Sequence, residues 1–206
     1  PKFAKLWPGV LEAFRLIGSE QIQGRASLGG NLCNGSPAGD SVPALIAAGC
    51  KAVIAGPGER KEIPIENFHL GPGKTILENG QMLVALKFPK RNNNSADAYL
   101  RMTPRTEMDI AVVGCGVNIS IENGVCTNAR VSLGAVAPKP LLINEASDIL
   151  VGSSLDEETL EKVSKICRDS CNPIDDKRGT IDYRTKVAGV LFKRATLLAA
   201  DRIRGN

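Results

Sequence analysis

Hydrophobic residues in the first part of the chain recur at spacings that predict short helices and strands. Apolar side chains lie on one helix face over residues 9–17, where Gly18 supplies a stop signal. A second helix is predicted over residues 42–48, with Ser41 placed as its N-terminal cap. Short extended segments are predicted at residues 51–55, 63–65 and 82–88. The last of these alternates regularly: Met82, Val84 and Leu86 fall at every second position, which is typical of a strand with two different faces.

The second part of the chain begins with strands and ends with helices. Strands are predicted at residues 97–102, 110–121 and 125–136, and helices over 154–170 and 183–203. Asn123-Gly124 tolerates the positive φ angles of a tight turn, so the second and third strands are predicted to form a hairpin. Ser154 begins a capping-box pattern for the first of the two helices.

The polar, unpatterned run 91–95 divides these two parts and marks a domain boundary. Two domains are predicted, over residues 1–91 and 96–206, and the second has an antiparallel sheet backed by helices. Strands followed by helices place the chain in the α+β class.

Composition and charge exclude several classes of protein. The formal net charge is +4, and the basic residues form no dense run, so nucleic-acid binding is not expected. No stretch approaches the roughly 18 apolar residues that a membrane span needs, and the first residues lack the apolar core of a signal peptide. A cytoplasmic location is therefore expected.

Metal binding and side-chain catalysis also receive little support. The six cysteines include no C-x-x-C pair, and His69 is the single histidine, so no metal site is expected. Cys167 and Cys171 are interpreted as core residues that share a helix face. Gly73-Lys74-Thr75 ends like a phosphate-binding loop, but phenylalanine stands at position 68, where that motif requires glycine. No residue is predicted to act as a catalytic nucleophile, acid or base.

One segment has the composition of a nucleotide-binding site. Gly29 and Gly30 lack the Cβ atoms that would separate main-chain amides from a phosphate. Asn31, Asn34 and Ser36 add hydrogen-bond donors, and Asp40 suits a sugar or ribityl hydroxyl. These residues alone also allow, and by themselves favour, an irregular loop held by its own side-chain turns.

A longer pattern surrounds these residues. Residues 26–40 read Ala26-Ser27-Leu28-Gly29-Gly30-Asn31-Leu32-Cys33-Asn34-Gly35-Ser36-Pro37-Ala38-Gly39-Asp40 and match the form A-[ST]-[IL]-G-G-N-L-x-N-x-S-P-x-x-D. Further matching runs follow in order at Gly71-Pro72-Gly73-Lys74-Thr75, Leu100-Arg101-Met102-Thr103-Pro104-Arg105, Ser132-Leu133-Gly134-Ala135-Val136-Ala137-Pro138 and Pro173-Ile174-Asp175-Asp176. Over essentially its whole length the chain resembles the flavin subunits of the molybdenum hydroxylases, such as carbon monoxide dehydrogenase and xanthine dehydrogenase.

This resemblance implies a fold and a set of cofactor contacts. It implies the latter half of a PCMH-type FAD-binding domain, followed by the flavoprotein C-terminal domain of the family. The residues it assigns to FAD are Ile17, Ser27, Leu28, Gly29, Gly30, Asn31, Asn34, Ser36, Asp40, Val84 and Arg101. Residues 27–31 are placed along the pyrophosphate, Ile17 and Val84 against the cofactor, and Arg101 where relatives often have a lysine near the flavin ring.

The resemblance also implies partners and a role in electron transfer. A large subunit with molybdopterin oxidises the substrate, and a small subunit passes electrons through [2Fe–2S] clusters to FAD. An external acceptor such as NAD, a quinone or oxygen then receives them. An enzyme of the related vanillyl-alcohol-oxidase type is disfavoured, because the sequence after the motif follows the molybdenum hydroxylases.

The chain departs from the family pattern at one point. Relatives carry an earlier loop, A-G-G-[TH]-[DS], that clamps the other side of the pyrophosphate, and it is not found in this sequence. The missing half-site is expected to come from another segment or polypeptide, so the chain alone is expected to bind FAD weakly or not at all and to be inactive. The alternative is a cofactor-free module that docks partner subunits.

Overall fold

The computed structural model describes residues 2–106 and 108–205 as short helices and antiparallel strands followed by longer helices. The helices are α1 (Lys2–Leu6), α2 (Pro8–Arg15), α3 (Glu20–Gln23), α4 (Leu28–Cys33), α5 (Ser41–Ala47), α6 (Asn144–Leu150), α7 (Glu157–Asp169) and α8 (Ile181–Arg204). The strands are β1 (Lys51–Gly56), β2 (Glu59–Pro64), β3 (His69–Gly71), β4 (Lys74–Thr75), β5 (Met82–Lys87), β6 (Ser95–Met102), β7 (Val113–Glu122), β8 (Val125–Gly134) and β9 (Leu141–Leu142). The predicted α+β class is confirmed.

The first unit consists of residues 2–87, from α1 to β5. It packs its helices against a small antiparallel sheet with the strand order β2-β1-β5. Every residue of α5 is buried, which explains why this helix is apolar on all sides. Leu32 of α4, Ile54 of β1 and Phe68 are fully buried in the same core. The core therefore fixes α4, which carries the glycine pair, against α5 and the sheet.

The second unit consists of residues 95–204, from β6 to α8. It contains a four-stranded antiparallel sheet with the order β6-β7-β8-β9. Asn123 and Gly124 adopt φ angles of 52° and 81°, and they connect β7 to β8 as a tight hairpin. This prediction is confirmed. Helices α6, α7 and α8 cover one face of the sheet, and Val117, Val131 and Phe192 are fully buried between the two layers.

The other face of this sheet meets the first unit, and glycines make that approach possible. A Cβ added to Gly116 would lie 2.6 Å from the carbonyl oxygen of Pro43, at the start of α5. A Cβ added to Gly134 would lie 2.5 Å from Cγ of the same proline. Since real Cβ atoms do not approach other atoms so closely, α5 can lie on the sheet only where these side chains are absent.

Strand β5 does not keep the alternation that its sequence predicts. Its pairing with β1 shifts register between Val53 and Ile54, so that Val84 becomes the extra residue of a β-bulge. Leu86 packs against the core, whereas Met82 and Val84 are 65% and 43% exposed. Regular alternation through Met82, Val84 and Leu86 is therefore wrong, because the bulge shifts the period by one residue.

The predicted cap of α7 is also wrong. The helix begins at Glu157, and Asp156 is its N-cap, with Oδ1 accepting a hydrogen bond of 2.9 Å from the amide of Thr159. Ser154 instead donates to Asp156 over 3.3 Å. The cap lies further along because Leu155, at φ 58°, turns the chain immediately before the helix.

The described residues contain no helix with both the length and the apolar character needed to cross a membrane. Among the same residues, no three His, Cys, Asp or Glu side chains converge to form a possible metal site. Cys167 is buried in the second core and Cys171 packs against it, in agreement with their interpretation as core residues.

Candidate functional site

The glycine pair lies in the first turn of α4 and not in an irregular loop, the alternative that these residues alone left open. Ser27 caps this helix, and its Oγ accepts a hydrogen bond of 3.0 Å from the amide of Gly30. Neither Gly29 nor Gly30 has a positive φ. Alanine would be favoured at helical positions by roughly 0.5–1 kcal/mol, so backbone conformation does not explain the two glycines.

What glycine offers at these positions is the absence of a Cβ. A Cβ on Gly29 would make ordinary contact with Leu83 Cδ2 at 3.4 Å, and one on Gly30 would lie 3.1 Å from Ser27 Oγ. Gly30 is exposed at the surface. A helix leaves the amides of its first turn without intrahelical acceptors, and among the described residues those of Leu28 and Gly29 donate no hydrogen bond. This arrangement suits close approach of an anionic group to the main chain.

Two hydrogen bonds hold the C-terminal end of α4 and the residues that follow it. Nε2 of His69 lies 2.7 Å from the carbonyl oxygen of Leu32, and the amide of Gly73 donates to the carbonyl of Gly35 over 2.9 Å. Burial lowers the pKa of His69, so the neutral ring donates to that carbonyl through Nε2. His69 and the Gly71-Pro72-Gly73 turn therefore support α4.

Asn31 ties α4 to the start of α5. Its Oδ1 accepts hydrogen bonds from Oγ of Ser41 at 2.7 Å and from the amide of Ser41 at 3.2 Å. Ser41 is thus the first residue of α5 and not its cap, contrary to the sequence prediction, because its hydroxyl is used by Asn31. The link fixes the turn that carries Asp40.

Asp40 is buried, and groups of the second unit hold both of its carboxylate oxygens. Tyr99 Oη donates to Oδ1 over 3.0 Å, and Arg101 Nη1 donates to Oδ2 over 2.8 Å. Arg101 Nη1 also donates to the carbonyl of Leu16 over 2.9 Å, at the end of α2. Burial raises the pKa of Asp40 to about 6, and Arg101 and Tyr99 lower it only in part. The carboxylate is therefore predominantly ionised at neutral pH.

Arg101 is the residue that the resemblance places near the flavin ring. Its side chain is 7% exposed and forms a buried ion pair with Asp40. Among the described residues, every hydrogen bond of this guanidinium is made by Nη1. Its other nitrogens therefore keep their donors for a ligand, and the ion pair fixes their direction.

The remaining four predicted residues occupy three places. Ile17 is buried beyond the end of α2, one residue after the carbonyl that Arg101 binds, and the exposed Val84 lies in the bulge of β5. Asn34 is exposed at the opposite end of α4, and the Oγ of Ser36 accepts from the amide of Ala38 at 3.2 Å. The structure thus groups most predicted residues around α4, with Asn34 and Ser36 at its far end.

Sequence reasoning missed Tyr99, although one signal for it existed. Tyr99 and Arg101 are two residues apart in β6, so both side chains point to the same face of the sheet. Burial raises the pKa of Tyr99 well above its usual value, so its hydroxyl keeps its proton and acts as the donor.

Comparison with known proteins identifies the family. Residues 1–91 match the family model described as the FAD binding domain in molybdopterin dehydrogenase, and residues 98–199 match the CO dehydrogenase flavoprotein C-terminal domain. The carbon monoxide dehydrogenase medium chain of Afipia carboxidovorans is 34% identical over 200 residues, which cover 97% of this chain and 68% of the relative. The chain belongs to the family of molybdenum-hydroxylase FAD-binding subunits.

A second curated relative and a solved structure indicate the same family. A putative xanthine dehydrogenase FAD-binding subunit of Escherichia coli is 30% identical over 188 residues, which cover 91% of this chain and 64% of that subunit. The structure of carbon monoxide dehydrogenase from Hydrogenophaga pseudoflava superposes with a TM-score of 0.94 at 31% identity, covering 98% of this chain and 70% of that one. The chain thus spans about two thirds of the length of these two curated relatives.

The two family models divide the site between them. Asp40 and α4 lie within the matched FAD-binding domain, whereas Tyr99 and Arg101 lie within the matched C-terminal domain. The hydrogen bonds to Asp40 therefore connect the two domains of the family at the site. The exposed Gly30 and the donors of Arg101 that make no hydrogen bond among the described residues suit a dinucleotide with phosphate and hydroxyl groups.

Proposed function

We propose that this chain binds FAD as the flavin subunit, or a part of it, of a molybdenum-containing oxidoreductase. The observation that carries the proposal is the helical glycine pair, Gly29 and Gly30, in a first turn that Ser27 caps and in which Gly30 is exposed. Glycine is unfavourable there for folding, and bare amides are what a diphosphate requires. Membership of the FAD-binding subunit family supports the same cofactor.

Each predicted residue then has a chemically suitable task. The amides of Leu28 and Gly29 bind the diphosphate, and Asn31, Asn34 and Ser36 supply further donors. Asp40 accepts from a hydroxyl and the free donors of Arg101 bind an acceptor. Ile17 and Val84 provide apolar contact. None of these side chains needs to act as a nucleophile, acid or base, since bound FAD supplies the redox chemistry.

In the assembled enzyme, electrons are proposed to pass from [2Fe–2S] clusters of a small subunit to FAD and then to NAD, a quinone or oxygen. The substrate is proposed to react at molybdopterin in a large subunit. The relatives named as carbon monoxide dehydrogenase medium chain and xanthine dehydrogenase FAD-binding subunit support the assignment of this chain as one subunit of a larger enzyme. Residues 1–91 and 96–206 are proposed to form the two domains of this subunit, and the assembly is proposed to work in the cytoplasm.

Flavin content tests the proposal directly. The full chain is purified with any subunits that co-purify, and FAD released by acid is measured per chain. Gly30→Val is expected to abolish FAD retention and Gly29→Ala to weaken it, because each adds a side chain over the amides. Gly24→Ala is the control, because Gly24 is exposed at φ −60°, and an added Cβ would meet only the carbonyl of Gln21, at 3.8 Å.

Two results would count against the proposal. Full FAD retention by Gly30→Val would show that the first turn of α4 is not the diphosphate site. A purified wild-type assembly without flavin would favour the alternative, in which the chain is a cofactor-free module that docks partner subunits.

A further inference from the structure

Tyr99 occupies a space that the sheet leaves open for it. The side chain is buried, and a Cβ added to Gly114 on the neighbouring strand would lie only 2.6 Å from its Oη. The phenol therefore fits only because position 114 is glycine. Gly114 is the second residue of β7, and its missing side chain makes room for a hydroxyl that points at Asp40.

The hydrogen bond from Tyr99 changes what Asp40 can do. Arg101 binds only Oδ2, and one bond leaves the carboxylate free to rotate about its last torsion. The second bond, from Tyr99 to Oδ1, holds the other oxygen and so fixes the plane of the group. The lone pairs that neither donor uses then have a fixed direction, which a binding site needs in order to recognise a hydroxyl.

The backbone around Asp40 is fixed by the first unit. Ser41 is bound to Asn31, and a Cβ on Gly39 would lie 3.3 Å from Oδ1 of the same asparagine. Asn31 of α4 thus fixes the main-chain position next to Asp40, while Tyr99 and Arg101 of β6 fix the orientation of its carboxylate. The orientation of this acceptor depends on both units being docked together.

We infer that Tyr99 is a positioning residue of the FAD site and acts through Asp40; the inference rests on the proposed function. Loss of the hydroxyl leaves a buried carboxylate oxygen without its donor and lets the group rotate. Tyr99→Phe is expected to raise the Kd for FAD by about tenfold, the usual size of the loss of one hydrogen bond to a charged group.

The chain offers a matched control and a second route to the same hydroxyl. Tyr183 is the other tyrosine and is 39% exposed, so Tyr183→Phe is expected to leave the Kd unchanged. Gly114→Ala pushes a methyl group against Oη from the neighbouring strand and is expected to weaken FAD binding in the same direction. This second variant keeps the test independent of how well Tyr99→Phe folds.

The experiment is a double-mutant cycle with Asp40→Asn. Flavin is removed from the purified assembly, FAD is titrated back with flavin fluorescence as the signal, and visible circular dichroism records the environment of the bound flavin. Urea unfolding of the flavin-free protein is measured in parallel. Tyr99→Phe is expected to weaken binding and alter the dichroism in the wild-type background, but to have little further effect on Kd in the Asp40→Asn background.

The outcomes separate this inference from the proposed function. A wild-type assembly that does not take up FAD overturns both. Wild-type binding with a Tyr99→Phe Kd within twofold of it overturns only the role of Tyr99, whatever happens to the unfolding midpoint. An equal loss of affinity in the Asp40→Asn background overturns the claim that Tyr99 acts through Asp40.

Discussion

The carbonyl oxygen of Pro43 lies 2.6 Å from the place where a side chain on Gly116 would begin. Proline at the start of α5 and glycine in the middle of β7 are thus a matched pair across the interface of the two units. The same interface carries Tyr99 and Arg101 to Asp40. The packing of α5 on the sheet therefore bears on the candidate cofactor site as well as on stability.

Gly116→Ala is expected to destabilise the protein by about 1–3 kcal/mol, because the new methyl group overlaps backbone atoms that cannot move independently. Gly71→Ala is the control, since no atom lies within 4 Å of its added Cβ and its φ is not positive. Urea unfolding of the two variants measures the difference. Equal stability would show that α5 can shift on the sheet without cost.

The stability contribution of Asp40 is expected to depend on pH in an unusual direction. Burial raises its pKa from 3.8 to about 6, so between these values the folded state binds the proton more tightly than the unfolded state. The contribution of Asp40 to the free energy of unfolding is therefore present below about pH 4 and lost as pH rises to about 6, with an upper size of about 3 kcal/mol.

Asp40→Asn isolates this effect, because asparagine does not titrate. The free energy of unfolding of the wild type minus that of the variant is expected to fall as pH rises from about 4 to about 6 and then to stay level. The subtraction is needed because burial also raises the pKa of Asp97. A difference that increases with pH over this range would contradict the expectation.

Arg184→Lys is expected to cost about 2–4 kcal/mol, although the charge is kept. The buried guanidinium of Arg184 donates to the carbonyl of Val112 at 2.6 Å, to the carbonyl of Ala135 at 3.2 Å and to Asp176 at 2.8 Å. A lysine ammonium cannot reach three acceptors spread along a planar fork. Thermal unfolding tests this, with the exposed Arg194→Lys as the control that should remain within about 0.5 kcal/mol of wild type.

At the start of α7, the cap predicted from the sequence is Ser154, whereas the cap that is present is Asp156. Substitutions at the two positions distinguish them. Asp156→Ala is expected to lower the unfolding midpoint, because the amide of Thr159 loses its acceptor. Asp156→Asn keeps that acceptor and is expected to lower the midpoint less. Ser154→Ala should have little effect on the unfolding midpoint; a loss as large as that of Asp156→Ala would restore Ser154 as the cap.

Local patterns predicted the elements that depend on near neighbours. Asn123-Gly124 marked its hairpin because the turn needs positive φ at both residues, and these two residue types supply it. The helical pattern predicted over residues 183–203 likewise corresponds to α8, Ile181–Arg204. The bulge at Val84 was not, because it is created by the pairing of β5 with β1 and not by β5 itself.

The sequence by itself determined the family motif, the α+β class and the glycines that keep the first turn of α4 bare, since these follow from residue identity and short-range order. Only the tertiary structure decided that Asp40 is held by Tyr99 and Arg101, which lie 59 and 61 residues further along the chain. The physical reason is that burial and hydrogen bonding set the charge and direction of a carboxylate. Both depend on which segments the fold brings together.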